Sequence, residues 1–240
     1  ELEAICAIPW SRGHFFTLEK NSGRVTQISR AGPTVIQQFH LTKQPGEILE
    51  CLDCALLGGK KVMAWGHRGG ATAGRLYWTT LDSDTPSAQV STLDVSAPFE
   101  PLEGLEIRHL SDFKISPNGE LWAVANRNEP LTGFRTLVWR VGSFSDDLTF
   151  QPAPLVAYAS HEDRKAEGLE FHGGRMLLVA DNEGGAEILN VPDPRPSAPL
   201  DLAEVKRKVK ELEPSLSEAP WQVLHTFQRN GRFLVVALTD

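Results

Sequence analysis

A hairpin motif that recurs five times constrains the fold of this chain more than any other feature of its sequence. Each copy consists of an alternating strand, a glycine-containing turn and a second apolar strand, as in "LSDFKISPNGELWAVANRNEP" and "AEGLEFHGGRMLLVADNEGG". Turns such as "PNG", "HGG" and "RNG" between β-rich runs are typical of hairpins. The copies begin with a polar residue at positions 3, 50, 112, 167 and 222. Such a period indicates an array of similar structural units.

Further strand-like segments lie between the copies, among them "RVTQIS", "GRLYWTTLD" and "FRTLVWRV". Together with the hairpins they amount to about four strands per 50 residues, which is the signature of a β-propeller blade. We therefore predict an all-β fold, with residues 1–240 forming a single β-propeller domain. Five hairpins favour five blades, with four and six as alternatives, because the fifth copy ends at Asp240, where its second strand would finish.

One segment departs from the strand pattern. In "PLDLAEVKRKVKELEPSL", Leu202, Val205, Val209 and Leu212 recur at helical spacing. The pair Asp201 and Glu204 resembles a capping box, and a proline ends the run. We predict a short inserted helix near residues 202–212. Its basic residues indicate a solvated face, with docking or binding of an anionic ligand as the alternative.

Composition limits the classes of function. The 240 residues carry a formal net charge of −7, which argues against a general nucleic-acid binder. No apolar run approaches the roughly 20 residues needed to cross a bilayer, so we expect no membrane span. The chain begins at Glu1 and not at Met, which is consistent with removal of a tag, a signal peptide or an upstream segment. This leaves the location open, with a periplasmic or secreted one slightly favoured.

The three cysteines are Cys6, Cys51 and Cys54, and an odd number fits a disulfide framework poorly. Cys51 and Cys54 form a CxxC sequence, but they lie in the strand-like segment "ILECLDCALL". Residues three apart on a strand point to opposite faces, which makes a shared metal or a mutual disulfide awkward. We interpret the cysteines as small buried hydrophobic residues, with redox or metal chemistry as the alternative.

Polar residues stand at the outer ends of the hairpins. Two antiparallel strands joined by one turn bring the start of the first strand and the end of the second to the same edge. In a ring of hairpins that edge forms one rim of the central channel, where we predict a polar funnel. The residues expected there are Glu3, Glu19, Glu50, His67, Arg68, Asp112, Asn126, Arg127, Glu167, Asp181, Asn182 and Asp240. Those predicted to bind a ligand are Glu3, Glu19, Glu50, Arg68, Asp112 and Asn182.

Clustered oxygen atoms suit a hard cation such as calcium, which would relieve the repulsion between carboxylates. Glu3, Glu50, Asp112, Glu167, Asn126 and Asp181 are the best supply of ligands for it. The alternative is that Lys20, Arg68 and Arg127 neutralise the carboxylates without a metal. Asp, Asn and Glu at strand ends are also common turn formers or solvated groups.

The same funnel offers general acid and base groups and basic anchors for an anionic substrate. The candidate catalytic residues are Glu167, Asp181, Arg127 and His67. His109 and His161 are further candidates, although a histidine beside a strand is more often structural. The sequence contains no G-x-S-x-G elbow, P-loop, HExxH or zinc-finger spacing.

At "ELEAICAIPWSRGHFFTLEKNSG" and "AEGLEFHGGRMLLVADNEGG" the chain resembles the esterase-like phytase and SdiA-regulated group of β-propellers. "EAI", "EGL" and "DNE" match the group's acidic strand start and its Asp or Asn at the strand end. "EGL" is also similar to gluconolactonase-type propellers, and this similarity implies Glu167, Asn126 and Asp181 as calcium ligands. Phytase-type propellers are expected to have a denser set of carboxylates than this chain has.

Two functions are compatible with these patterns. The favoured one is a non-catalytic propeller that binds a protein or a small anionic ligand on the funnel. The alternative is a calcium-assisted hydrolase of a small phosphate ester or lactone, with Arg68 or Arg127 orienting the substrate. The fold alone does not decide between them.

Overall fold

The computed structural model describes residues 2–100, 105–129, 133–172, 175–181, 186–192, 221–229 and 232–239. By its internal contacts the chain divides into two compact units. The first unit comprises Glu1–Glu170 and Leu177–Leu189, and the second comprises Phe171–Met176 and Asn190–Asp240. The single domain over residues 1–240 stays a prediction.

Three antiparallel sheets follow one another along the first unit. The first has the strand order β1 (Leu2–Ala7), β2 (His14–Glu19), β3 (Arg24–Ser29), β4 (Gly32–His40). The second contains β5 (Leu49–Leu57), β6 (Lys60–His67), β7 (Gly74–Asp82), β8 (Thr85–Pro86) and β9 (Ser91–Val95), with β8 and β9 both paired to β7. The third contains β10 (Ile107–Ile115), β11 (Glu120–Glu129), β12 (Gly133–Phe144), β13 (Phe150–Pro152) and β14 (Ala157–Glu162), with β13 and β14 both paired to β12.

Two smaller sheets complete the described structure. One has the order β15 (Ala166–His172), β16 (Arg175–Asp181), β17 (Ala186–Pro192). In the second unit, β18 (Trp221–Arg229) and β19 (Arg232–Thr239) form an antiparallel hairpin. All five predicted hairpins are therefore present as paired strands.

The order of strands within the first three sheets is that of a propeller blade, in which consecutive strands pair from the inside outward. The all-β prediction is confirmed, because each regular element among the described residues is a strand. The helix predicted near 202–212 lies outside the described residues, as do Asn182 and Asp240. Within the described part of the chain, no helix has the length and apolarity to cross a membrane.

Both faces of the second sheet are buried, which explains why "LECLDCALL" is almost continuously apolar. One core cluster joins the first and second sheets and includes Phe16, Leu52 and Trp65. The other joins the second and third sheets and includes Ala64 and Phe113. A strand that is covered on both sides gains from apolar residues at odd and even positions alike.

The two core clusters also separate two of the cysteines. Cys51 belongs to the cluster between the second and third sheets, and Cys54 belongs to the cluster between the first and second. The prediction that they point to opposite faces of one strand is confirmed. All three cysteines are buried and free.

The turn between β10 and β11 illustrates why the hairpins need glycine. Gly119 adopts a φ of +83°, and its carbonyl accepts a hydrogen bond from the backbone of Phe144 at 2.9 Å. A Cβ atom on Gly119 would lie 2.7 Å from the carbonyl oxygen of Phe144. An L side chain there would meet both torsional strain and a backbone contact that cannot easily give way.

We expect Gly119→Ala to lower the free energy of unfolding by about 2 kcal/mol, measured by urea denaturation. Gly59→Ala is the matched control, because Gly59 has a φ of +78° and a Cβ atom added to it would meet nothing within 4 Å. The control carries the torsional cost alone, about 1 kcal/mol. Equal losses in the two variants would show that the approach to Phe144 is unimportant.

Candidate functional site

Charged side chains from four sheets meet at the outer ends of the hairpins in the first unit. We call this group the rim network, and its members are Glu3, Lys20, Glu50, Arg68, Glu106, Arg108, Lys165 and Glu167. The convergence follows the reasoning from the sequence, since Glu3, Glu50 and Glu167 come from β1, β5 and β15. Their function as ligand-binding groups stays a prediction.

Lys20 links the first sheet to the second in the rim network, and Arg68 links the second sheet to the third. The Nζ atom of Lys20 lies 2.6 Å from Oε1 of Glu3 and 3.4 Å from Oε1 of Glu50. Arg68 donates to the same Oε1 of Glu50 at 3.2 Å and to Glu106 at 3.1 Å. One carboxylate oxygen of Glu50 is thus shared by two cations from two sheets.

Glu167 forms the other half of the rim network. Its Oε1 lies 3.3 Å from Arg108 and 2.8 Å from Lys165. Arg108 and Glu167 also act electrostatically on Glu50, Arg108 favouring the ionised form and Glu167 opposing it. The two halves therefore form one electrostatic group.

Irregularities in the strands place the rim residues. Leu2 of β1 pairs with Glu19 and Ala4 pairs with Leu18, which leaves Glu3 as an extra residue between them. In β5, Glu50 occupies the same position between two paired neighbours. The register of β10 likewise shifts between Arg108 and Asp112. A β-bulge turns a side chain away from the normal alternation, which frees these residues from the two buried faces.

Glu50 is the most buried acid of the rim network, with 3% of the residue exposed. Burial raises the pKa of its carboxyl, against the opposing charges of Arg108, Arg68 and Lys20. Its Oε2 atom is buried without a hydrogen-bond partner, and so is Nε of Arg68. The network holds Glu50 by one oxygen and leaves the other unsatisfied.

The formal charges in the rim network balance. Four glutamates face two lysines and two arginines, each within an ion pair. Lys20 and Arg68 form ion pairs with Glu3, Glu50 and Glu106, as expected if basic residues neutralise the carboxylates of the rim. Arg127 donates to the carbonyl of Glu100 at 2.6 Å, and its guanidinium lies 4.7 Å from the centre of the Phe99 ring.

Asp112 belongs to a second charged group, which we call the Lys114 group and which consists of Asp53, Asp112, Lys114 and Glu170. Lys114 Nζ lies 3.0 Å from Asp53 and 3.4 Å from Glu170. Burial alone would lower the pKa of Lys114, but the charges of Asp53, Asp112 and Glu170 outweigh it and raise that pKa. Lys114 therefore stays protonated, and it is the cation that holds these carboxylates together.

Asp112 itself accepts a hydrogen bond from the backbone N–H of Leu169 at 2.7 Å, which ties β10 to β15. Burial raises the pKa of Asp112 from its ordinary value of 3.8 to about 7, against the opposing charge of Lys114. A carboxyl group with this pKa is half protonated near neutrality, so it can both donate and accept a proton.

The proposed calcium ligands are engaged by other groups. The Oδ1 atom of Asn126 accepts from the hydroxyl of Thr136 at 2.6 Å, and its amide donates to Ser111 and to the carbonyl of Ala166. Asn126 is 1% exposed. Oε1 of Glu167 is already paired with Arg108 and Lys165. Across the described residues, no three His, Cys, Asp or Glu side chains form a metal-binding group.

The remaining candidates occupy separate positions. Asp181 is exposed, and its N–H donates to the carbonyl of Lys165 at 2.8 Å. Glu19 pairs with Arg24 and Ser22, and the hydrogen bond from Arg24 lowers its pKa. His67 accepts at Nδ1 from the N–H of Ile48 at 3.0 Å.

Burial changes the acidity of the other two candidate histidines, His109 and His161. Nδ1 of His109 accepts from the N–H of Ala97 at 3.0 Å, and burial lowers the pKa of its ring. Burial also lowers the pKa of His161, with the charge of Arg164 adding to the effect. These contacts give His67 and His109 structural partners outside the rim network.

Reasoning from the sequence missed the cations Arg108, Lys165 and Lys114 and their partner Asp53. A signal for the last pair was present, because Asp53 and Lys114 each interrupt an apolar strand. A charge inside a buried strand requires a partner of opposite sign. Arg108 and Lys165 carried no comparable signal, since each lies in a polar stretch.

No protein-family model matches the sequence, and no curated protein matches it. The chain is similar to a protein of unknown function from Bacteroides caccae, with 10% identity and a TM-score of 0.32 over 76% of this chain and 58% of that one. It is similar to a luciferin-regenerating enzyme, with 14% identity and a TM-score of 0.35 over 81% of this chain and 77% of that one. It is similar to an ancestral GH74 enzyme, with 12% identity and a TM-score of 0.31 over all of this chain and 43% of that one. The resemblance to the esterase-like phytase and SdiA-regulated group stays a prediction.

Proposed function

We propose that this chain is a β-propeller binding module whose ligand binds on the rim network. The observation that carries the proposal is the convergence of charges of both signs from four separate sheets. Residues distant in sequence build one polar surface there, as expected for a binding site at the end of a propeller channel. Arg108 and Glu167 are 27% and 28% exposed at their side chains, so a ligand can reach them.

The charge balance indicates the character of the ligand. Equal numbers of cations and carboxylates offer both donors and acceptors but little net attraction for a strong anion. A protein surface that presents both charges satisfies this arrangement best, because each of its charged groups can find an opposite partner. A small anionic ligand would have to bind Arg68 or Arg108 in competition with their glutamates.

We propose five blades, with four and six as alternatives. Five hairpins recur in the sequence, and the fifth, β18 and β19, has an antiparallel register over its length. That register shifts between Val223 and His225, near the start of the strand, as the registers of β1 and β5 do. A repeated irregularity at the same place supports the equivalence of the hairpins.

The alternative function is a calcium-assisted hydrolase of a small phosphate ester or lactone at the same surface. It is favoured by the supply of Glu3, Glu50 and Glu167 from three sheets and by the unsatisfied Oε2 of Glu50. In that case Glu167, Asp181, Arg127 and His67 are the candidate catalytic residues. A cation would have to displace the lysines and arginines that now hold the carboxylates.

Thermal unfolding with added ligands tests both functions. We expect an alternating Glu–Lys peptide in large excess over its Kd to raise the Tm by about 5–10 °C. Glu167→Gln should reduce this rise, since it removes the negative charge that pairs with Arg108 and Lys165. Glu162→Gln is the matched control. Glu162 ends the outer strand β14, pairs with Arg135 of β12, and has a side chain that is 58% exposed.

The same measurement separates the two functions. After EDTA treatment, a rise in Tm specific to calcium chloride and lost in Glu167→Gln would favour the hydrolase and contradict the binding module. Equal responses of Glu167→Gln and Glu162→Gln to the peptide would place its site elsewhere. The absence of any shift with the peptide would overturn the proposed ligand class.

A further inference from the structure

The three free cysteines have different surroundings, and two of them touch. The Sγ–H of Cys6 in β1 donates to Sγ of Cys54 in β5, with 3.6 Å between the sulfur atoms. The residues are 1% and 5% exposed, and both lie in the core between the first and second sheets. A disulfide has an S–S length of about 2.05 Å, so the two sulfurs need to approach by roughly 1.5 Å.

We propose that Cys6 and Cys54 form a reversible disulfide that joins the first and second sheets under oxidising conditions. Strands β1 and β5 belong to different sheets and pack against each other. The two cysteine side chains already meet in this contact. The residues are 48 apart in sequence, so the bond would close a loop that contains β2, β3 and β4 of the first sheet. This assignment is independent of the function proposed for the rim network.

Burial protects Cys6 and Cys54 from oxidants while the first and second sheets remain packed together. Burial raises the pKa of Cys54, and its hydrogen bond with Cys6 adds to the effect. Since the thiolate is the attacking species, reaction requires a local opening that exposes one sulfur. Strand β1 is the element suited to open, because it forms the end of its sheet and exposes Leu2 and Ile5 at 67% and 59%.

The reaction with oxidised glutathione balances without a further reagent. One cysteine loses its proton and attacks a glutathione sulfur, which releases one glutathione thiolate and leaves a mixed disulfide. The second cysteine then attacks the protein sulfur of that mixed disulfide and releases the other glutathione. Two protein thiols are oxidised, one glutathione disulfide is reduced to two thiols, and the protons go to the released glutathione.

Cys51 provides a matched control on the same strand as Cys54. It is fully buried, but it lies in the other core cluster and donates to the carbonyl of Leu110 at 3.2 Å. Its burial is close to that of Cys6 and Cys54, and its side chain points to the opposite face of β5. A reaction governed only by cysteine burial would treat the three residues alike.

The experiment incubates the full reduced chain with oxidised glutathione until the amides of β1 have exchanged with deuterium in a parallel sample. Peptide mass mapping should find a Cys6–Cys54 crosslink in the wild type and in Cys51→Ala, but not in Cys6→Ser. The crosslink should raise the Tm by about 5–10 °C and be reversed by dithiothreitol. Mapping on the wild type stands even if a variant fails to fold.

Three outcomes would overturn the proposal. A disulfide that contains Cys51 would show that the contact between Cys6 and Cys54 does not direct the reaction. Mixed disulfides with glutathione that persist on Cys6 or Cys54 would show that the two sulfurs cannot reach bonding distance. Retention of all three thiols after β1 has exchanged would have the same meaning.

Discussion

Replacing Lys114 with methionine is expected to lower the free energy of unfolding by about 3–5 kcal/mol at neutral pH. Lys114 lies buried between carboxylates, 3.0 Å from Asp53. Methionine has a similar length, so the core stays filled while the charge is lost. Asp53 is 4% exposed and would remain in the core without its cation. The loss comes mainly from this uncompensated charge and not from a missing contact.

Urea denaturation measures the effect, with Lys60→Met as the control. Lys60 is exposed, so its substitution should change the free energy of unfolding by no more than about 0.5 kcal/mol. The double variant Asp53→Asn with Lys114→Met should recover part of the loss, because it removes both charges. A loss below about 1 kcal/mol in Lys114→Met would mean that the pair is solvated and not a core interaction.

Replacing Asp112 with asparagine is expected to make the variant increasingly stable relative to the wild type as pH rises. The pKa of Asp112 is 3.8 ordinarily and about 7 in the folded chain, so the folded state binds its proton more tightly. Between these values the folded state binds more protons than the unfolded one, and its stability falls by up to about 1.4 kcal/mol per pH unit. This contribution is complete below the lower pKa and lost above the higher one.

Asparagine carries no titrating proton, so the variant lacks this decline, and its amide oxygen can still accept from Leu169. We expect the difference in unfolding free energy between Asp112→Asn and the wild type to grow by about 4 kcal/mol from about pH 4 to about pH 8. Urea denaturation across that range measures it. The charges of Lys114 and Asp53 act on Asp112 and are present in both proteins, so the difference reports on Asp112. A difference that does not vary with pH would contradict the raised pKa.

Much of the first unit could be predicted from the sequence because its signals are local. Each hairpin combines alternation or a continuous apolar run with a turn that requires glycine, as at Gly119. The opposite faces of Cys51 and Cys54 follow from the two-residue period of a strand. The convergence of Glu3, Glu50 and Glu167 follows from the geometry of antiparallel pairs, in which the two outer ends share one edge.

The composition of the rim network could not be predicted in the same way. The bulges at Glu3 and Glu50 depend on how a whole strand pair accommodates an extra residue, and no single residue signals that. Several partners of the rim glutamates come from other sheets, as Arg68 does for Glu106 and Arg108 does for Glu167. Asn126 shows the same limit, since its amide and carbonyl are used by Ser111 and Thr136.

The sequence by itself determined the strands, the turns and the edge at which polar residues gather, because these depend on neighbours a few residues apart. The tertiary structure decided which charges neutralise one another and which thiols touch. Ion pairs and sulfur contacts depend on distances of about 3 to 4 Å between side chains on different sheets. Such distances are set by the packing of one sheet on the next, and nothing in the local pattern encodes them. That is why Lys114 and Asp53, and also Cys6 and Cys54, became partners only in the folded chain.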